Sequence, residues 1–215
     1  MTDLDGADVV HGIVHVPGAE LRSFAIVPRT PRAAIWLVPD PTSGEPTFVD
    51  HLAHAWARAG FATFRVDRRA AADGADYVTD VADLATASVD AARCARERDL
   101  PLIAFADGAG ATMLTELDQP WAAALVLDAF ATRWIPPRDG DNRTAAFHRQ
   151  LAAIDPGEAW ARLRAPLYIA ATSPTGDEPD RIAARAAGPT TIARIASRTA
   201  FADLGLAWLT TIMRA

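Results

Sequence analysis

The stretch that decides the fold is Leu102-Ile-Ala-Phe-Ala-Asp-Gly-Ala-Gly-Ala111. An apolar run of strand length, Pro101–Ala106, stops at Asp107-Gly108 and passes at once into a helical pattern through Met113, Leu114 and Leu117. A run without polar alternation is that of a strand covered on both faces, which is the habit of parallel sheets. The same signature recurs on either side. Ala33–Val38 (AAIWLV) is stopped by Pro39-Asp40-Pro41; Phe61–Val66, Ala122–Leu127, Pro166–Ala171 and Thr191–Ala196 are further short apolar runs. Between them lie helical patterns at Thr47–Ala59, Asp76–Arg98, Ala145–Ala161, Pro179–Ala187 and Phe201–Met213. The stripe expected to face the core on the long second helix is Val78, Val81, Leu84, Ala85, Val89 and Ala92. Val9–Pro17 and Leu21–Pro28 open the chain as two strands joined at Gly18-Ala19. Two strands followed by regular βα alternation predict an α/β domain, with a mostly parallel sheet of about eight strands and helices on both faces.

The turn after Phe105 resembles the nucleophile elbow of the α/β-hydrolase superfamily. There a buried strand ends in small-x-nucleophile-x-small and runs straight into a helix, because the turn is strained and brings backbone close to backbone. Ala104-Phe105-Ala106-Asp107-Gly108 fits that frame and puts Ala106 at the nucleophile position; a frame centred on Asp107 puts bulky Phe105 where a small residue belongs. Other stretches are similar to the same family in the same order: the loop after Ala33–Val38, the segment Ala57–Asp67, and Arg164–Ala170. The chain is most like the compact dienelactone-hydrolase-like esterases, with a small cap insertion at about residues 130–162 in a single domain over residues 1–215.

The resemblance implies Ser or Cys, then Asp, then His in chain order. Asp177 follows the strand Pro166–Ala171 where the acid belongs, with Asp180 as competitor. Arg198 stands where the histidine belongs, and a guanidinium cannot accept a proton near neutral pH. The oxyanion loop reads Val38-Pro39-Asp40-Pro41, in which two prolines remove two N–H donors and leave that of Asp40. One engineered Ser→Ala change would account for Ala106, but not for Arg198 or Pro39. The sequence therefore points to a degenerate hydrolase whose old pocket serves ligand binding, regulation or non-hydrolytic catalysis. Three alternatives stand beside it: an esterase- or thioesterase-type hydrolase with an unusual nucleophile or base, a hydrolase inactivated by an engineered Ser→Ala change at the nucleophile position, and a structural subunit of a hydrolase-like assembly.

The remaining candidates are read residue by residue. Asp107 is a general acid or base, or an acid at a helix N-terminus capping free N–H groups. Asp177 and Arg198 are expected to pair in place of the lost Asp–His couple. His148 is the histidine that could substitute as base, whereas His11 and His15 alternate along the first hairpin and His51 and His54 lie three apart on the first helix with no third metal ligand in the sequence. Trp121, Trp134 and Trp160 are candidates to line an apolar pocket beside the loop Ile135–Thr144. A ligand carrying an acceptor or anionic group is expected between that loop and Ala106.

Composition sets the outer limits. The chain has 215 residues, 50% apolar and 22% charged, enough apolar surface for a folded domain. Its net charge of −6 argues against a nucleic-acid partner. A small-molecule ligand, a second copy or a protein partner is the expected company. All 21 basic residues are arginine, a mark of GC-rich codon usage, which excludes lysine-based mechanisms. With the single cysteine Cys94, no disulfide, metal or cofactor is expected. No segment is long and apolar enough for a transmembrane helix, and the acidic start lacks a signal-peptide pattern, so the cytoplasm is the expected location.

Overall fold

The computed structural model describes residues 6–42, 46–69, 76–129, 143–173 and 176–214. The strands are β1 (Ala7–Val16), β2 (Ala19–Pro28), β3 (Ala33–Val38), β4 (Phe61–Val66), β5 (Leu102–Asp107), β6 (Ala123–Leu127), β7 (Leu167–Ala171) and β8 (Thr190–Arg194). The helices are α1 (Pro46–Arg58), α2 (Tyr77–Glu97), α3 (Ala109–Thr115), α4 (Ala145–Ala152), α5 (Pro156–Arg162), α6 (Glu178–Ala183) and α7 (Arg198–Ile212). All eight strands join one sheet in the order β1-β2-β4-β3-β5-β6-β7-β8. The β1–β2 and β2–β4 pairs are antiparallel and the rest parallel. The expected α/β architecture is therefore present.

The uniformly apolar runs are the uniformly buried strands. Every residue of β3, β5, β6 and β7 is buried. Successive side chains of a strand point to opposite faces, and β5 divides its residues accordingly. Ala104 and Ala106 enter the core under α2–α5, with Leu84, Met113, Phe147 and Trp160. Ile103 and Phe105 enter the core under α1 and α7, with Leu52, Trp56, Phe201 and Leu209. None of the described helices is long and apolar enough to cross a membrane.

Two expectations about helices need correction. The pattern Ala145–Ala161 is two helices, broken where Asp155 caps the Gly157 N–H and Pro156 takes the first helical position. Proline lacks the N–H that would continue α4, and its ring starts a new helix instead. On α2 the expected stripe fails at Val78 and Val89, 62% and 56% exposed, while Leu84 and Ala92 are buried and Val81 and Ala85 pack on the core; Asp80 and Asp83 are buried too, beside Ala87 and Ala91. The face turned inward is chosen by arginines. Arg69 clasps Asp83 in a bidentate pair at 2.6 and 2.9 Å, and Arg68 and Arg143 meet Asp80 at 3.3 and 3.2 Å. Buried carboxylates are tolerated when so matched.

Candidate functional site

The ends of β3, β5, β6 and β7 and the start of α7 converge on a half-open cleft of about 470 Å³. It lies beyond the carboxyl ends of the parallel strands, where open α/β sheets place their ligands. Among the described residues its polar lining comes from Asp40, Asp107, Asp128, Thr172, Ser173, Glu178 and Arg198.

The sharp turn is centred on Gly108, two residues beyond the expected Ala106. β5 runs on to Asp107, which is still in register with Leu127 of β6. The chain then reverses at Gly108, with φ 52° and ψ −125°. That conformation is almost closed to residues bearing a Cβ. Ala106 is fully buried on the α3 side, so a side chain there faces core, not cleft. The frame that fits is Ala106-Asp107-Gly108-Ala109-Gly110. Gly110 is its last small residue, because a Cβ there would lie 2.8 Å from the carbonyl oxygens of Val38 and Pro39.

A side chain on Gly108 would also collide with the Asp40 carboxylate, which already occupies that direction. Asp40 thus offers its carboxylate to the turn, where its N–H was the expected contribution. Its Oδ1 accepts from the backbone and hydroxyl of Thr42 at 2.9 and 2.8 Å. The flanking carbonyls are held from behind: Arg68 donates to Pro39 O at 2.8 Å and Arg143 to Pro41 O at 3.0 Å. Asp80 pairs with both arginines, one carboxylate shared by two guanidinium groups, and burial lowers the Arg68 pKa to about 10. None of this buried network was foreseen, because its members are far apart in sequence.

Arg198 does reach the cleft, but with other partners than expected. Its guanidinium bonds the Asp107 carboxylate, lies 3.4 Å from Asp128 and sits over the Phe48 ring at 4.4 Å. Asp177 instead pairs with Arg181 on its own helix, and Asp180 with Arg194. Both acids are exposed and bonded to nearer arginines, so neither meets Arg198. Asp107 does not cap α3 either; Gly108 is the cap residue, and the Asp107 carboxylate turns to Arg198. Burial pushes the Asp107 carboxyl up to about 6, with Asp40 and Asp128 acting the same way and Arg198 opposing. Its Oδ1 has no hydrogen-bond partner.

Asp128 was missed by sequence reasoning. It follows β6 with φ 49°, a left-handed conformation that aspartate adopts more readily than most residues. Its carboxylate accepts from the Thr172 N–H at 2.7 Å and from the Thr172 hydroxyl, tying the end of β6 to that of β7. Only the register of the two strands brings 128 and 172 together.

The aromatic and histidine candidates lie elsewhere. His148 is buried on α4, edge-on to Phe147, and is not among the residues lining the cleft. Trp160 is packed in the core, and Trp121 borders a separate depression of about 730 Å³ with Glu116, Arg162 and Leu163. Trp160 fills the layer between sheet and helices, whereas Trp121 is only half-buried at its edge. Trp134 and most of the loop 135–144 lie outside the described residues. The described part of the expected cap, α4 and α5, packs on α2 and α3 and contributes no lining residue.

Neither a protein-family model nor a curated protein sequence matches this chain. Solved structures do. Dienelactone hydrolase from Anabaena variabilis superposes with a TM-score of 0.70 over 95% of this chain and 98% of that one, at 14% identity. An esterase from Rhizomucor miehei gives 0.71 over 97% and 84%, at 14% identity. A thermostable esterase from Pseudomonas putida gives 0.64 over 90% and 74%, at 14% identity. The chain has the α/β-hydrolase fold.

Proposed function

We propose that this protein is a non-hydrolytic member of the α/β-hydrolase fold that binds a small molecule in the cleft at Gly108. One observation carries the reading: the residue at the left-handed turn is glycine, and the Asp40 carboxylate fills the space a nucleophile would need. Acyl transfer needs an activated nucleophile, a base to take its proton and donors facing the developing oxyanion. Here the turn carries no side chain, Arg198 cannot act as a base, and the Asp40 carboxylate puts negative charge beside the turn. The cleft itself is retained, with a volume in the range of small-molecule sites. That open volume supports a binding role over a purely structural one.

The test is turnover of p-nitrophenyl acetate, butyrate and a thioester analogue. The expected rate is that of a heat-unfolded sample. Esterase-like turnover that survives repurification would overturn the reading.

A second reading is favoured by the esterases among the structural neighbours and by Asp107. In it, the Asp107 carboxylate activates a water directly. That mechanism requires turnover that rises with pH through about 6 and vanishes in Asp107→Asn.

A further inference from the structure

β1 is the outer strand of the sheet, paired with β2 on one side only. Its ten residues keep an unbroken antiparallel register with β2, from Ala7 opposite Pro28 to Val16 opposite Ala19, without a bulge. In such a pair, residues bonded to the partner alternate with residues whose N–H and C=O point away. Arg29 donates to Gly6 O at 3.1 Å, which sets the even-numbered residues of β1 against β2. On the far side of β2, Asp67 donates to Arg22 O at 2.8 Å, the same alternation seen from its other edge. The N–H and C=O groups of Ala7, Val9, His11, Ile13 and His15 therefore point out of the sheet, and no described strand meets them. Sheet edges are ordinarily guarded by lysine or arginine, by proline or by a bulge. β1 has no such guard, and its one carboxylate, Asp8, lies near an end. It is apolar instead. Val9, Val10 and Ile13 are 47%, 49% and 58% exposed, so three of the eight large exposed hydrophobic residues described fall on this one strand.

We infer that β1 pairs antiparallel with β1 of a second copy, extending the sheet across a two-fold axis at His11. The odd-numbered residues must face one another, because they hold the free backbone groups, and the two-fold keeps each side chain on its own face of the sheet. Centred on His11, Val9 lies opposite Ile13 of the second copy and Ile13 opposite Val9, so exposed apolar side chains meet in two cross-strand pairs. On the other face Val10 meets Gly12, and Asp8 meets Val14, so no carboxylate opposes a carboxylate. The five facing pairs exchange about ten backbone hydrogen bonds, the number found in a standard interface. The area is smaller. Nine residues at about 3.4 Å each, in a sheet about 10 Å thick, give a contact face of roughly 300 Å² per copy, against about 800 Å² in a standard interface. The dimer is thus held by its backbone ladder more than by buried surface, and its Kd falls between about 1 and 100 μM. A strand from another protein would satisfy the same backbone groups. A second copy is favoured because its exposed valine and isoleucine match under the two-fold, and because the closed pair leaves neither copy with a free β1 edge.

The experiment is sedimentation velocity at pH 8 and about 0.15 M salt, over about 5–500 μM chain. Four proteins are compared: the wild type, Ile13→Lys, His11→Pro, and Val89→Lys, which changes an exposed apolar residue on α2 instead. His11→Pro removes an N–H that β2 does not use, so the hairpin keeps its ladder. Thermal unfolding checks that each variant is folded. The wild type should pass from monomer to dimer over this range. Ile13→Lys and His11→Pro should weaken the dimer at least tenfold, and Val89→Lys should leave it unchanged. In a Cys94→Ser background, His11→Cys should cross-link to itself on mild oxidation, since facing residues of a bonded pair have Cα atoms about 5.5 Å apart. A wild type that stays monomeric throughout overturns the inference and leaves the edge to a different partner. A dimer that survives Ile13→Lys or His11→Pro overturns it too, as does a dimer in which His11→Cys does not cross-link.

Discussion

Replacing Asp107 by asparagine should make the protein more stable above neutral pH, although it deletes an ion pair. In the folded protein burial holds this carboxyl at about 6, against an ordinary 3.8. Between those values the folded state binds more protons than the unfolded chain, so stability falls as pH rises through that window. At about 1.4 kcal/mol per pH unit, the gap amounts to about 3 kcal/mol of stability lost once Asp107 is ionised. Asparagine keeps the shape and removes the charge. Arg198 is not stranded, since Asp128 lies 3.4 Å away and a third of the guanidinium side chain is exposed. The two proteins should differ by only about 0.5 kcal/mol at pH 4. The variant should lead by roughly 1.5 kcal/mol at pH 5 and by about 3 kcal/mol above pH 7. Urea unfolding of both proteins from pH 4 to 8 measures this, because groups remote from Asp107 titrate alike and cancel in the difference. A variant equal to or weaker than the wild type at pH 8 would refute the reasoning. It would mean that the Asp107–Arg198 pair stabilises the fold and is not a strain kept for function.

Asp80→Ala should lower stability by about 3–5 kcal/mol, because it leaves Arg68 and Arg143 as buried cations without their shared carboxylate. A urea midpoint corresponding to a loss under about 1 kcal/mol would remove the claim that this network holds the Asp40 loop. Gly110→Ala should cost about 1–3 kcal/mol, since its methyl group meets the backbone oxygens of Val38 and Pro39 rather than a side chain that can swing away. A melting curve superimposable on that of the wild type would show that the close approach is not needed.

The architecture was legible because burial leaves a pattern that needs no partner to be read. The run Leu102–Phe105 is apolar on both faces, and that alone marks a central strand. What escaped reading depends on distances between segments. The turn was misplaced by two residues because alanine at 104 and at 106 satisfies the small-residue requirement equally, and only the backbone angle at Gly108 separates the two frames. Asp177 looked like the partner of Arg198 by chain order, yet Arg181, one turn along α6, is nearer and easier to reach. Asp80 and Asp83 carry no sequence signal of burial, because Arg68 and Arg69, which follow β4, meet them only in the folded chain. Asp128 carries no motif at all; its place is set by the pairing of β6 with β7.

The central claim is that the cleft holds no nucleophile capable of covalent acyl chemistry. A fluorophosphonate probe tests it without knowledge of any substrate, since such probes label activated serines whatever their acyl preference. The wild-type protein, incubated with excess probe at pH 7.5 and weighed by intact-mass spectrometry, should retain its unmodified mass. A stoichiometric adduct, abolished by prior unfolding, would contradict the account.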